Sequence, residues 1–139
     1  MTRISKQIIK CFERGNKVLI IGNGGSSAEA SHLSEELIAY GYPAIALNDP
    51  CVLTALSNDF SYEEVFSRYI IAVGAQGDVL ITLSTSGKSK NIIRAIKTAK
   101  QKSMEVIEWP RNKGKTTEAI QNHQLELIHK IYKEVVDNS

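Results

Sequence analysis

The chain has 139 residues, 42% hydrophobic and 23% charged, which suits one ordinary globular domain and excludes a disordered tail, a collagen-like repeat or a coiled coil. Its 17 basic and 15 acidic side chains leave a net charge of +2, so no strong positive field marks a nucleic-acid binder. The longest apolar runs, such as Val18 to Ile21, are far too short to cross a bilayer, and no apolar secretory segment follows Met1. Cys11 and Cys51 make neither a disulfide framework nor a zinc-type pair, so a reducing cytoplasm is the expected setting.

From Thr2 to Gly15, Ile4, Ile8, Cys11 and Phe12 fall on one helical stripe, with Gly15 as the stop. Lys17 to Ile21 is a short run of β-formers and reads as a buried strand. A turn, Gly22-Asn23-Gly24-Gly25-Ser26-Ser27, leads into a helix reaching about Tyr40, with Ala30, Leu33 and Leu37 inward. Tyr42 to Leu47 is a second strand, Pro50 to Leu56 a short helix, and Tyr62 to Val73 a longer one. Asp78 to Leu83 is a third strand, followed by Ser84-Thr85-Ser86-Gly87-Lys88-Ser89 and a helix from Asn91 to Lys102. Met104 to Trp109 is a fourth strand stopped by Pro110; a basic loop spans Arg111 to Lys115, and Thr117 caps a last helix to about Val136. Strands separated by helices predict a three-layer α/β sandwich, with a parallel sheet of about four strands flanked by helices, flavodoxin-like in plan.

In such sheets ligands bind beyond the carboxyl ends of the strands, where two loops here are rich in Gly, Ser and Thr. The first, Gly22 to Ser27, lets backbone approach a ligand at a helix N-terminus, where free N–H groups favour anions. It is also compatible with a plain strand-to-helix turn. A dinucleotide fingerprint needs a third glycine where Ser27 stands; Asp49 could imitate the ribose-binding acid, which leaves that alternative open. The second loop offers four hydroxyls, from Ser84, Thr85, Ser86 and Ser89. Gly87-Lys88-Ser89 imitates the end of a P-loop, but the glycine required five positions earlier is Thr82, which excludes a nucleoside triphosphatase. Together the loops favour a small phosphorylated ligand over a nucleotide.

At these residues the sequence resembles the sugar isomerase (SIS) domain family, most closely the bacterial phosphoheptose isomerases. The resemblance rests on Gly22 to Ser26, His32 to Leu37, Ser57 to Phe60, Val65 to Tyr69, Gly77 to Ile81, Ser84 to Ser89, and Ile120-Gln121 with His129. It implies conversion of sedoheptulose 7-phosphate to D-glycero-D-manno-heptose 7-phosphate. It also implies substrate contacts from Asn23, Gly24, Gly25 and Ser26, a phosphate loop of Ser84, Thr85, Ser86 and Ser89, and a sugar-proximal pair Asn58 and Asp59. His32, Glu36, Gln121 and His129 match the metal ligands, for one zinc per site. Glu36 and His129 match the acid/base pair, and Gln121 also lies among the substrate contacts.

Aldose–ketose isomerisation needs a base beside the carbonyl and an acid or electrophile at the enediolate oxygen, jobs suited to a carboxylate and an imidazole. His32 and Glu36, four apart on a helix, share a face. Gln121 and His129 are separated by a helical rise of about 12 Å and diverge by roughly 80°. They reach one metal by leaning together, or from two copies of the chain. A homo-oligomer, dimer or tetramer, is therefore expected, with a sugar phosphate as the ligand and neither nucleic acid nor membrane as a partner.

The sequence also departs from the family. A further N-terminal helix is expected there, and a longer segment with an arginine near the active site, where this chain has Ile38-Ala39-Tyr40. A fifth strand is expected after the fourth, whereas here Trp109-Pro110 leads almost directly into the last helix. These differences bear on activity, substrate choice and oligomeric state. They keep a second reading in play, a non-catalytic phosphosugar-binding or protein-interaction module.

Overall fold

A computed structural model describes residues 1–111 and 116–139. The elements in chain order are α1 (Arg3–Glu13), β1 (Val18–Gly22), α2 (Gly25–Ala39), β2 (Ala44–Ala46) and α3 (Pro50–Asp59). A 3-10 turn (Tyr62–Glu64), α4 (Val65–Val73), β3 (Val79–Leu83), α5 (Lys90–Gln101), β4 (Glu105–Glu108) and α6 (Thr117–Asp137) complete them. The expected basic loop, apart from Arg111, lies outside the described residues.

The four strands form one parallel sheet in the order β2-β1-β3-β4. Every residue of β1 and β3 is buried, as their unbroken apolar runs require of strands covered on both faces. Alternation along the strands then divides the core. Val18, Ile20, Val79, Ile81 and Leu83 pack with α1, α2 and α6; Leu19, Ile21 and Leu80 pack beneath α4 and α5. The three-layer sandwich expected from the sequence is the fold observed.

Several boundaries shift for local reasons. The α3 helix runs on to Asp59, started by Asp49, whose carboxylate accepts from the Val52 N–H at 3.1 Å, and by Pro50 in its first turn. The expected Tyr62–Val73 helix begins as a 3-10 turn. The cap of α6 is Thr116 and not Thr117: the Thr116 Oγ1 accepts from the Ala119 N–H at 3.1 Å.

One buried charge ties the amino edge of the sheet together. Asp78, 1% exposed, accepts from Lys17 Nζ at 2.6 Å, from Asn16 Nδ2 at 2.9 Å, and from the N–H groups of Lys17 and Ala75. Burial alone would raise its pKa, but those donors outweigh it and hold the carboxyl below its ordinary range. β3 begins beside it and carries the chain about 17 Å to Ser84, so this cluster fixes the strand that presents the second loop. Asp78→Ala is expected to cost about 3–5 kcal/mol in denaturant melts, since Lys17 is left unpaired. With the folded pKa depressed, the Asp78 contribution is present above the unfolded carboxylate pKa and lost as pH falls through the folded value. Acid titrations of the two proteins should therefore converge.

Candidate functional site

Both Gly/Ser loops emerge at the carboxyl edge, side by side, because β1 and β3 are neighbours in register from Val18↔Val79 to Gly22↔Leu83. Asn23 and Asn91 exchange two amide hydrogen bonds of 3.0 Å, and the Tyr62 hydroxyl donates to Asn23 Oδ1 at 2.6 Å. The Asn23 side chain is thus committed to clamping the loops, which leaves its backbone to face a ligand. Between the loops lies a cavity of about 50 Å³ lined by Asn23, Ser26, Leu83, Ser84, Thr85 and Ser89. That is room for several waters or one tetrahedral anion, at the start of both α2 and α5.

The second loop is internally braced. Gly87 N–H donates to Ser84 Oγ at 2.9 Å and Lys88 N–H to Ser86 Oγ at 3.0 Å. Ser84, Thr85 and Ser89 reach the cavity; Ser86 turns to the exterior. Ser89 stands at the N-cap of α5, but its hydroxyl makes no cap bond and is free for a ligand. In the first loop Ser26 lines the cavity, Gly24 caps α2 at φ +56°, and Gly25 opens the helix. Asn58 and Asp59 bond to each other at 3.2 Å at the exposed end of α3, outside that cavity.

The second half of the site sits where α2 meets α6. His32 Nε2 lies 3.2 Å from His129 Nε2 and 3.6 Å from Glu36 Oε1, and Glu35 Oε2 is 3.7 Å from the other ring nitrogen of His32. Gln121 stands at the far end, its amide against Gly25, in space that any Cβ would occupy. Gly25 opposite Gln121, and His32 opposite His129, are steps of 32 − 25 = 7 and 129 − 121 = 8 residues. The two helices therefore run side by side in the same direction. His129 meets His32 within one chain, and Gln121 lies against Gly25 at the start of α2. Partial burial, then the Glu36, Tyr40 and Glu35 charges, push the Tyr132 phenol above its ordinary range.

Among the described residues the ligand atoms that lie within 4.8 Å of one another are those of His32, Glu35 and Glu36, a donor set of the kind zinc takes. Of the four residues expected to bind metal, His32 and Glu36 belong to that group, His129 lies beside His32, and Gln121 lies against Gly25.

Sequence reasoning missed Glu29. It lies on the same α2 stripe as Gly25, His32 and Glu36, only 8% exposed, with Oε2 unpaired among the described residues. Desolvation pushes its carboxyl up to about 7, into the range where a side chain can take and return protons near neutrality. No local pattern announces burial of a glutamate; only tertiary packing creates it.

The fold and sequence have known relatives. The SIS domain profile matches residues 1–108, and the chain belongs to the SIS domain family. Within that class it is 55% identical over 109 residues to the phosphoheptose isomerase of Sodalis glossinidius, a match covering 74% of this chain and 56% of that protein. The chain thus spans little more than half the length of the curated relatives it matches. In structure it is similar to phosphoheptose isomerase GmhA from Neisseria gonorrhoeae, with TM-score 0.91 and 33% identity over 98% of this chain and 84% of that one. A phosphoheptose isomerase from Francisella tularensis superposes with TM-score 0.92 at 26% identity, over 97% of this chain and 84% of that one.

Glu29 gives a checkable consequence. Its folded pKa is raised above the ordinary 4.5, so its share of stability is greatest below 4.5 and declines as pH rises through about 7. Glu29→Gln in metal-free protein should flatten the pH dependence of stability between about 5 and 7. Above pH 7 it should stabilise by up to about 3 kcal/mol, read from urea melts at fixed pH.

Proposed function

We propose that this chain is a phosphosugar isomerase acting on sedoheptulose 7-phosphate, with the phosphate held in the Ser84–Ser89 loop and the reacting end of the sugar near α2 and α6. The observation that carries the reading is His32, flanked by Glu36 at 3.6 Å and His129 at 3.2 Å, on the helix whose first turn lines the hydroxyl cavity through Ser26. The named phosphoheptose isomerases it resembles support the substrate.

Glu36 takes a proton from C1 beside the C2 carbonyl, leaving an enediolate. His129 supplies a proton to the C2 oxygen and later accepts one from the C1 oxygen, while the carbon-bound proton is returned to C2. Atoms and electrons balance without a co-reactant: the ketone becomes an alcohol and C1 an aldehyde. Gln121, beside Gly25, is placed to hold sugar hydroxyls between the two ends of the ligand. Thr85, Ser89 and Ser26 donate to the phosphate, and helix termini behind them complement its charge.

His32, Glu36 and His129 would hold a zinc ion, with Gln121 the fourth expected ligand. When bound, zinc supplies Lewis-acid polarisation of the sugar oxygens. Glu36→Gln and His129→Ala are each expected to lower turnover of sedoheptulose 7-phosphate by at least about 100-fold in a coupled assay, and a chelator to do the same reversibly. Full activity in both variants would overturn the reading. Binding of the sugar phosphate by calorimetry with no isomerisation would favour a ligand-binding module.

A second copy of the chain is part of the same proposal. Ile38 and Tyr40 at the end of α2 are 55% and 58% exposed, and Ile38 shares a groove with Ile45 of the edge strand β2. Covering these apolar side chains by a second copy removes them from water. Light scattering at micromolar concentration should give a dimer or tetramer; a monomer at all concentrations would exclude it.

A further inference from the structure

Arg111 leaves the end of β4 immediately after Trp109 and Pro110, and its guanidinium lies on the backbone of Gly87, in the space a Cβ would need. Gly87 is the turn of the second loop, at φ +68°. Both sides of this contact are anchored. Trp109 is buried; its N–H donates to Thr82 O at 2.8 Å, and its Nε1 to Gln124 O at 3.3 Å. On the loop side, Gly87 N–H donates to Ser84 Oγ and Gln124 Nε2 to Ser84 O at 3.4 Å. The fully buried Gln124 thus joins the strand end that carries Arg111 to the loop it touches.

Arg111, Ser84 and Gly87 also share the wall of a cavity of about 270 Å³, and Ser84 lines the smaller one as well. Glu108 lines the same cavity, but among the described residues no carboxylate is paired with Arg111. The hydroxyls and N–H groups of the loop are neutral donors. A phosphate dianion leaving water is stabilised further by a full positive charge nearby, and a guanidinium keeps its charge at every working pH. Lys88 and Lys90 are exposed and less constrained than a side chain seated on the loop.

We propose that Arg111 is a positioning and specificity-determining residue for the phosphate group of the ligand, acting through the Gly87 backbone as the fixed cation behind the hydroxyl loop. This rests on the reading of Ser84–Ser89 as the phosphate site.

The test titrates inorganic phosphate into the full-length wild type and into Arg111→Gln and Arg111→Lys, following the Thr85 to Ser89 amide resonances. Melting temperatures are recorded in parallel. Arg111→Gln is expected to weaken phosphate about tenfold, and Arg111→Lys to stay within about threefold of wild type. Equal affinity in wild type and Arg111→Gln overturns the inference. So does equal weakening in the Lys and Gln variants, which would mean that shape and not charge matters, or a wild type that binds no phosphate. Turnover of sedoheptulose 7-phosphate is measured separately: its absence beside intact, Arg111-dependent phosphate binding overturns the isomerase proposal and leaves this one standing.

Discussion

At Gly25 the missing side chain admits Gln121, and α6 can then lie along α2 closely enough for His129 to come within 3.2 Å of His32. A Cβ at that position would meet only the amide end of the Gln121 side chain, which would have to swing aside. The approach of the two helices places His129 beside His32, which is itself beside Glu36. The grouping of these side chains depends on how closely α6 lies along α2.

The opposing requirement comes from the sheet. β1 and β3 are buried on both faces and matched in register, so the loops that follow them emerge at the same height. Asp78 secures the far end of β3, and the Asn23–Asn91 amide pair secures the near end. A loop of hydroxyls is an effective anion site only if it is held before the ligand arrives, because ordering it on binding would consume part of the affinity. The internal bonds of Ser84 and Ser86 provide that order, and Gln124 extends it to α6. Phosphate end and reacting end are thereby joined through one helix.

Much of this was legible in the sequence. The apolar runs of β1 and β3 announce buried parallel strands, and the spacing of His32 and Glu36 announces a shared helical face. Gln121 and His129 were ambiguous, because eight residues along one helix cannot be assigned a partner until the neighbouring helix is known. A parallel neighbour with a matching seven-residue step resolves it. Glu29 and Arg111 were invisible for a similar reason: one acquires its burial, and the other its contact with Gly87, only in the packed chain. The shift of the α6 cap from Thr117 to Thr116 is smaller in kind, since adjacent threonines offer the same hydroxyl and only the backbone turn chooses between them.

The most direct measurement is zinc titration of the full chain with X-ray absorption spectroscopy at the metal edge, on wild type and His129→Ala. The expected result is one ion per chain with two imidazole nitrogens in its shell, and one imidazole fewer in the variant. A shell unchanged by removal of His129, or no stoichiometric binding, would contradict a metal centre built by the pairing of α2 with α6.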